Sequence, residues 1–529
     1  FCLSRGLGDV YKRQENTSSG DRRIYLQAMV NYNRTFGEKH NISGMLLYNQ
    51  DQYDTNNPGD LIASLPQRKQ GFAGRLTYDY DYRYLAEFNF GYNGSENFAD
   101  GHRFGFFPSV ALGYTISRED YFEKLNNVIT NLKIRGSWGL VGNDQIGAER
   151  YIYMSNIELQ NGDLGFTTGK DQNTTYNGPK YLRYANPDIT WEVGSKWNLG
   201  LDLGLFNDFN MSVDLFKETR SDIFMERQSI PQFIGTSPSD RYMDLKTKLY
   251  GNLGKVENKG MDLSVDYVHS FNKDFSMSFK GTFTYATNKV LEYDEPGYLA
   301  YPNLSRVGHS INQPLLYIAD RLFIDDEEVA NSPAQKLGGF VQAGDIKYKD
   351  IPNADGVCDG VIDANDRVYT GHPTVPEIVY GFGPSFQYKK WDFSFFFQGV
   401  ARTSIVVGDI HAFGTDGLRN VQKFIANDYW SESNQNIYAG YPRLSKQYNQ
   451  NNTVASTYWL RNGAFLKLKD VEVGFSHKLF RVYLRGSNLL TFSPFDLWDP
   501  EQGNGNGMFY PTQKSFNVGI QSVSYTHLR

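Results

Sequence analysis

Residues 82–94 read YRYLAEFNFGYNG, and the order of these residues decides the fold. Tyr82, Tyr84, Ala86, Phe88, Phe90 and Tyr92 take alternate positions, while Arg83, Glu87, Asn89 and Asn93 fall between them. In an extended chain successive side chains point to opposite sides, so this stretch is a ribbon with one greasy and one wet face. The alternation returns in DFSMSFKGTFTYA (274–286), where Phe275, Met277, Phe279, Phe283 and Tyr285 oppose Ser276, Ser278, Lys280, Thr282 and Thr284. It returns again in NMSVDLF (210–216) and GMDLSVDYV (260–268). About fifteen such segments of roughly 10 residues can be traced, which is long for soluble sheets and ordinary for strands that cross a bilayer.

The connections between these segments alternate in length. Short turns are expected at 36–39, 80–82, 206–209, 270–274, 389–391 and 476–479, with a moderate one over 118–130. Long connections are expected at about 51–69, 142–188, 221–252, 288–376, 404–462 and 491–513. An up-and-down barrel of the outer membrane has this asymmetry, with tight periplasmic turns at one rim and long extracellular loops at the other. A soluble sandwich or propeller gives no reason for loop length to follow parity. The expected fold is therefore all-β, a transmembrane antiparallel up-and-down β-barrel whose last strand, around KSFNVGIQ (514–521), leaves the C-terminus periplasmic. Bacterial barrels close on an even strand count, so an odd count implies that part of the barrel lies outside this chain.

Composition agrees. The 529 residues include 37 Tyr, 37 Phe and 51 Gly, and no run of about 18 apolar residues offers a membrane helix. A net charge of −6 with no basic stripe argues against nucleic acid as a partner. Two cysteines, Cys2 and Cys358, make neither a disulfide framework nor a metal-binding thiol cluster. FCLSRGLGDVYKRQ (1–14) and the last residues, 523–529, fit no neighbouring pattern and read as a non-native leader and tail, leaving 15–522 as the barrel segment.

Four stretches then carry a resemblance: NLKIRGSWGLVGND (131–144), RYANPDITWEVGSKWNLGLDLGLFNDFNMSVDLFKETRSDIF (183–224), YWLRNGAFLKLKDVEVGFS (458–476) and LRGSNLLTFSPFDLWDPE (484–501). Together, in this order, they resemble the C-terminal barrel portion of SusC/RagA-type TonB-linked outer-membrane receptors of Bacteroidetes. The resemblance implies a barrel of about 22 strands around an N-terminal plug, of which this chain would hold about 15 strands and neither the plug nor the TonB box. It implies import of oligosaccharides or peptides, coupling to TonB, and a SusD-like surface lipoprotein closing over the loops. Rival readings are a TonB-dependent receptor for metal chelates or cobalamin, a passive or structural outer-membrane barrel, and a secreted soluble β-protein.

For chemistry the sequence offers little. The eight histidines are scattered, and no nucleophile stands near a base in a known spacing, so no enzyme and no organic cofactor is expected. The acidic stretch 345–371, DIKYKDIPNADGVCDGVIDANDRVYTG, has part of an EF-hand loop pattern. Taking Asp355 as the first position places Asp359 fifth, Asp363 ninth and Asp366 twelfth, but Val357 stands where the third ligand belongs. Either these four carboxylates hold a structural calcium ion, or they cap their own backbone in a surface turn. Trp430, Tyr438, Trp459 and Trp498 lie in long connections, where flat rings either stack on substrate or hold the loops together.

Overall fold

The structure is a computed structural model that describes residues 20–56, 62, 64–147, 150–230, 249–410 and 420–522. The leader and tail inferred from the sequence lie outside the described residues. Fifteen strands form one sheet in which neighbours in sequence are neighbours in space. Numbering only these, they are β1 (Asp21–Phe36), β2 (His40–Thr55), β3 (Gln67–Tyr80), β4 (Tyr84–Ser95), β5 (Phe104–Thr115), β6 (Ile129–Asn143), β7 (Glu192–Leu205) and β8 (Phe209–Glu226). There follow β9 (Tyr250–Ser270), β10 (Phe275–Glu292), β11 (Ile378–Tyr388), β12 (Trp391–Ala401), β13 (Phe465–Ser476), β14 (Phe480–Phe492) and β15 (Ser515–Ser522). β1 and β15 end the sheet order.

The short connections are the expected ones. Asp81 and Tyr82 both have positive φ, as do Phe206 and Asn207, the backbone of a tight hairpin turn whose twist matches its strands. A further connection, 96–103, belongs to the long-loop side and had no counterpart in the sequence reading; its Phe98 is buried.

The faces sort as the period of two requires. Phe72 pairs with Tyr92, Leu76 with Phe88 and Tyr78 with Ala86, so one face of β3–β4 is a sheet of rings and aliphatics. The Phe90 ring fills the space above Gly74 on the same face. On the other face Asn89 donates to Glu87 at 2.7 Å. Further along, the polar face is knitted by charge. Arg135 donates to Asp202 at 3.2 Å and to Asp214 at 2.5 Å, and Arg481 bridges Asp392 and Glu472.

The chain divides into two compact units. In the first, comprising Phe1–Gly113, Ser137–Lys196 and Arg220–Gly254, the connection before β7 buries Phe98, Ile146, Ile152, Ile189 and Trp191 together. The stretch NPDITWE (186–192) makes that possible by satisfying the backbone where strands begin. The Asn186 amide donates to the Tyr250 carbonyl at 2.8 Å, Asn252 accepts from the Thr190 N–H at 2.9 Å, and buried Glu192 accepts from the Phe224 N–H at 3.2 Å and Asn143 at 2.9 Å. Buried backbone groups without partners are costly, which is why this irregular segment is so polar. The second unit, Tyr114–Gly136, Trp197–Thr219 and Lys255–Arg529, contains the two longest connections.

Candidate functional site

Those connections, 293–377 and 402–464, fold on one another into a module with its own core. Short strand pairs frame it: Leu315–Tyr317 with Arg367–Tyr369, Ala319–Leu322 with Ile346–Tyr348, and Ser404–Val406 with Leu460–Asn462. Tyr317, Leu322, Ile346, Tyr348, Ile405 and Trp459 pack together between them.

Polar groups fix how the two connections meet. Asp345 is fully buried, with Arg443 at 2.8 Å and the Asn452 amide at 2.8 Å on its carboxylate. Asn452 in turn accepts from the Ile346 N–H at 3.0 Å, and Asn451 donates to the Ile346 carbonyl at 3.0 Å. The Tyr348 hydroxyl donates to the Asn451 carbonyl at 2.7 Å. Burial pushes the Tyr348 and Tyr458 hydroxyls well up, and that of Tyr441 to about 12, so all three serve as neutral groups. Burial also raises the Asp345 carboxyl, an effect that Arg443 and Asn452 oppose.

Two charged clusters brace the edges. Glu328 receives Arg321 at 2.5 Å, Lys347 at 2.7 Å and the Ile324 N–H at 2.8 Å, and the Arg321 hydrogen bond leads in holding its carboxyl down at about 2. Lys467 on β13 is fully buried with Asp499 and Glu501 each 2.6 Å away, and Lys469 adds a second contact to Glu501 at 2.6 Å. The WDPE stretch is thus a latch that ties the last long connection to β13. Burial raises both carboxyls, but the lysines, joined at Asp499 by the Glu501 N–H, outweigh it and leave both lowered.

Three of the four aspartates of the acidic stretch, Asp359, Asp363 and Asp366, turn their carboxylates to nearby backbone. Asp363 accepts from the Asn365 N–H at 2.8 Å, Asp366 from Ile351 at 2.8 Å and Asp363 at 2.7 Å, and Asp359 from Val361 at 2.9 Å, while the Asp355 N–H is taken by Asn353. Asp363 and Asp366 form a reciprocal cap on the short helical turn Ala364–Asp366. Among the described residues no group of three His, Cys, Asp or Glu side chains is placed to hold a metal ion. Three of these carboxylates are committed to backbone amides, Asp366 to two of them, which fits the self-capping turn better than a calcium loop.

The four loop aromatics separate. Trp430 and Trp459 are buried in the module core, so of the two roles the sequence left open they hold the loops together and present no open face to a substrate. Trp459 donates to the Asn452 carbonyl at 2.9 Å. Trp498 is half-buried edge-on against Phe495, with Gly507 beneath its ring. Tyr438 alone is well exposed, at 76%. Exposed Phe340 and Tyr510 join it as candidate contact rings, with Phe509; Phe340 and Tyr510 gave no sequence signal beyond lying in long connections.

Compared with known families, residues 3–489 match the family described as TonB dependent receptor-like, beta-barrel. Among curated proteins, the TonB-dependent receptor SusC of Bacteroides thetaiotaomicron is 26% identical over 499 residues, covering 89% of this chain and 45% of SusC. TonB-dependent receptor P3 of Formosa agariphila is 25% identical over 481 residues, covering 86% of this chain and 44% of that protein. The chain spans about half the length of the curated relatives it matches. A solved structure of the RagAB peptide transporter superposes with a TM-score of 0.70 at 22% identity, covering 96% of this chain and 57% of that one, a likeness of fold.

Proposed function

This chain belongs to the TonB-dependent receptor-like β-barrel family, and on that premise we propose that it is the barrel part of a TonB-dependent outer-membrane importer, not an enzyme, that takes up oligosaccharides or peptides with a SusD-like surface lipoprotein. The observation that carries this reading is the loop module. Two connections of this length, folded around a buried core and braced by Asp345–Arg443 and the Glu328 cluster, make a rigid platform at the long-connection rim. A passive pore has no need of such a platform, whereas a receptor that holds cargo beneath a lid does. The long connections are then extracellular and the short turns and C-terminus periplasmic. Exposed Phe340, Tyr438 and Tyr510 supply flat faces for a protein lid, a sugar ring or a peptide side chain.

The experiment uses the full-length receptor in its native host. Growth on oligosaccharides or on peptides as the carbon source should fail on one of them when the receptor gene is deleted, and fail equally when tonB is deleted. Unchanged growth on both would remove the importer reading, while loss confined to metal-chelate or cobalamin utilisation would move it to the rival cargo. An impermeant maleimide applied to intact cells lacking the lipoprotein should label Cys358, which is exposed in the connection 293–377.

A further inference from the structure

On the apolar-parity face of β9, β10 and β11 an open groove lies directly below a cationic pocket. Val265, Gly281 and Phe382 stand side by side across the three strands, as do Leu263, Phe283 and Tyr380 one step nearer the long connections. Gly281 makes a notch there. Only the edge of the Phe279 ring leans over it, 3.1 Å from where a Cβ would stand, so a larger side chain there must displace that ring. The groove is lined almost wholly by carbon, from Val265, Phe279, Gly281, Phe283, Tyr380 and Phe382.

Along the same face toward the long connections the chemistry changes abruptly. Tyr285 closes the groove, with the Arg402 guanidinium 5.8 Å above its ring. Beyond it Lys259 pairs across from Thr287 and Glu257 across from Lys289. Lys259, Lys289, Arg402, Glu257, Glu377 and His372 line one polar pocket. Lys217 holds Glu257 at 2.8 Å, and Arg402 holds buried Glu377 at 2.6 Å. Four cations thus face two carboxylates that are already engaged, and Lys259, 63% exposed and only 3.9 Å from Glu257, has capacity for an anion.

We propose that this face is a seat for one phosphorylated lipid of the outer leaflet, its phosphate against Lys259 and Lys289 and one acyl chain in the Gly281 notch. The proposal rests on the long-connection rim being extracellular. Two features name the occupant: the cation excess fits phosphate, and the carbon-lined groove fits a saturated chain. The spacing fits as well. Six residues from Gly281 to Thr287 span about 20 Å along a strand and about 15 Å of depth once the strand is tilted, close to the reach of an acyl chain of about 14 carbons. Ordinary annular contact would need neither the notch nor the lysines on three adjacent strands.

The full-length receptor, purified in mild detergent, would be mixed with diphosphoryl lipid A or with phosphatidylcholine, and retained lipid counted by native mass spectrometry. The wild type should retain about one lipid A and little phosphatidylcholine. Lys259→Ala with Lys289→Ala should cut lipid A retention about thirtyfold, the loss expected for two lysines at a membrane surface. Gly281→Leu should cut it by filling the notch, with folding of both variants checked by heat-shifted gel mobility. Equal retention of the two lipids, or wild-type retention in either folded variant, would overturn the proposal. So would a concentration-dependent dimer that Gly281→Leu abolishes, which would give the groove to a second copy. Labelling of Cys358 only after lysis would fail the extracellular reading separately, without touching the lipid counts.

Discussion

Arg443 Nε lies 2.8 Å from the fully buried carboxylate of Asp345, a pair that joins the two longest connections across 98 residues of sequence. Removing one partner of such a pair leaves an uncompensated buried charge. Arg443→Ala should therefore loosen the loop module by about 3 to 5 kcal/mol while the strands stay intact. Because burial raises the Asp345 carboxyl, the folded module holds its proton more tightly than the unfolded chain does. Stability from this group is greatest below the ordinary carboxylate range and falls as pH rises through the raised folded value, so the Arg443→Ala defect should ease in acid. Limited proteolysis of 293–377 against pH reads both effects, and a defect that deepens in acid would contradict the assignment.

Glu328 carries the opposite sign. Its carboxyl is held at about 2, chiefly by Arg321, so it stabilises the segment fully above its ordinary value and loses that contribution as pH falls toward 2. Glu328→Gln should cost on the order of 2 kcal/mol at pH 7 and flatten the acid limb of protease resistance around 320–348. An acid limb that survives in the variant would place the titrating group elsewhere.

Phe88 and Asn89 test the facing of β4. Phe88 stands on the ring-covered face beside Phe90, with ring centroids 6.2 Å apart, and Asn89 on the face with Glu87. Phe88→Arg should cost the refolded full-length receptor about 2 to 4 kcal/mol in lipid, against little for Asn89→Arg. Equal costs in a denaturant titration would mean that this strand does not divide lipid from lumen.

For the acidic stretch, the expected outcome is indifference to calcium. Asp359→Asn with Asp363→Asn keeps an oxygen for each backbone amide that these side chains serve, so protease protection of 350–370 should be the same with and without calcium, in wild type and variant. Asp366→Asn should differ, costing about 1 to 2 kcal/mol, because one amide oxygen cannot replace two carboxylate oxygens on the Ile351 and Asp363 N–H groups. Calcium-dependent protection lost in the double variant would restore the metal reading.

What the sequence by itself determined is the sheet. The alternation at 82–94, the hairpin turns and the parity of long connections are local matters, set by side chains pointing to opposite sides every residue and by turns of a few residues. They are legible without any knowledge of what packs where. Only the tertiary structure decided the loop module. Asp345, Asn451, Asn452 and Lys467 carry no mark of burial in the sequence, yet all are buried, because their partners lie in other connections far along the chain. For Trp430 and Trp459 the sequence left open whether the rings meet substrate or hold the loops together, and their burial in the core shows the second. Burial of this kind depends on which long connections meet, and the closure of such contacts leaves no periodic mark in the residues that make them.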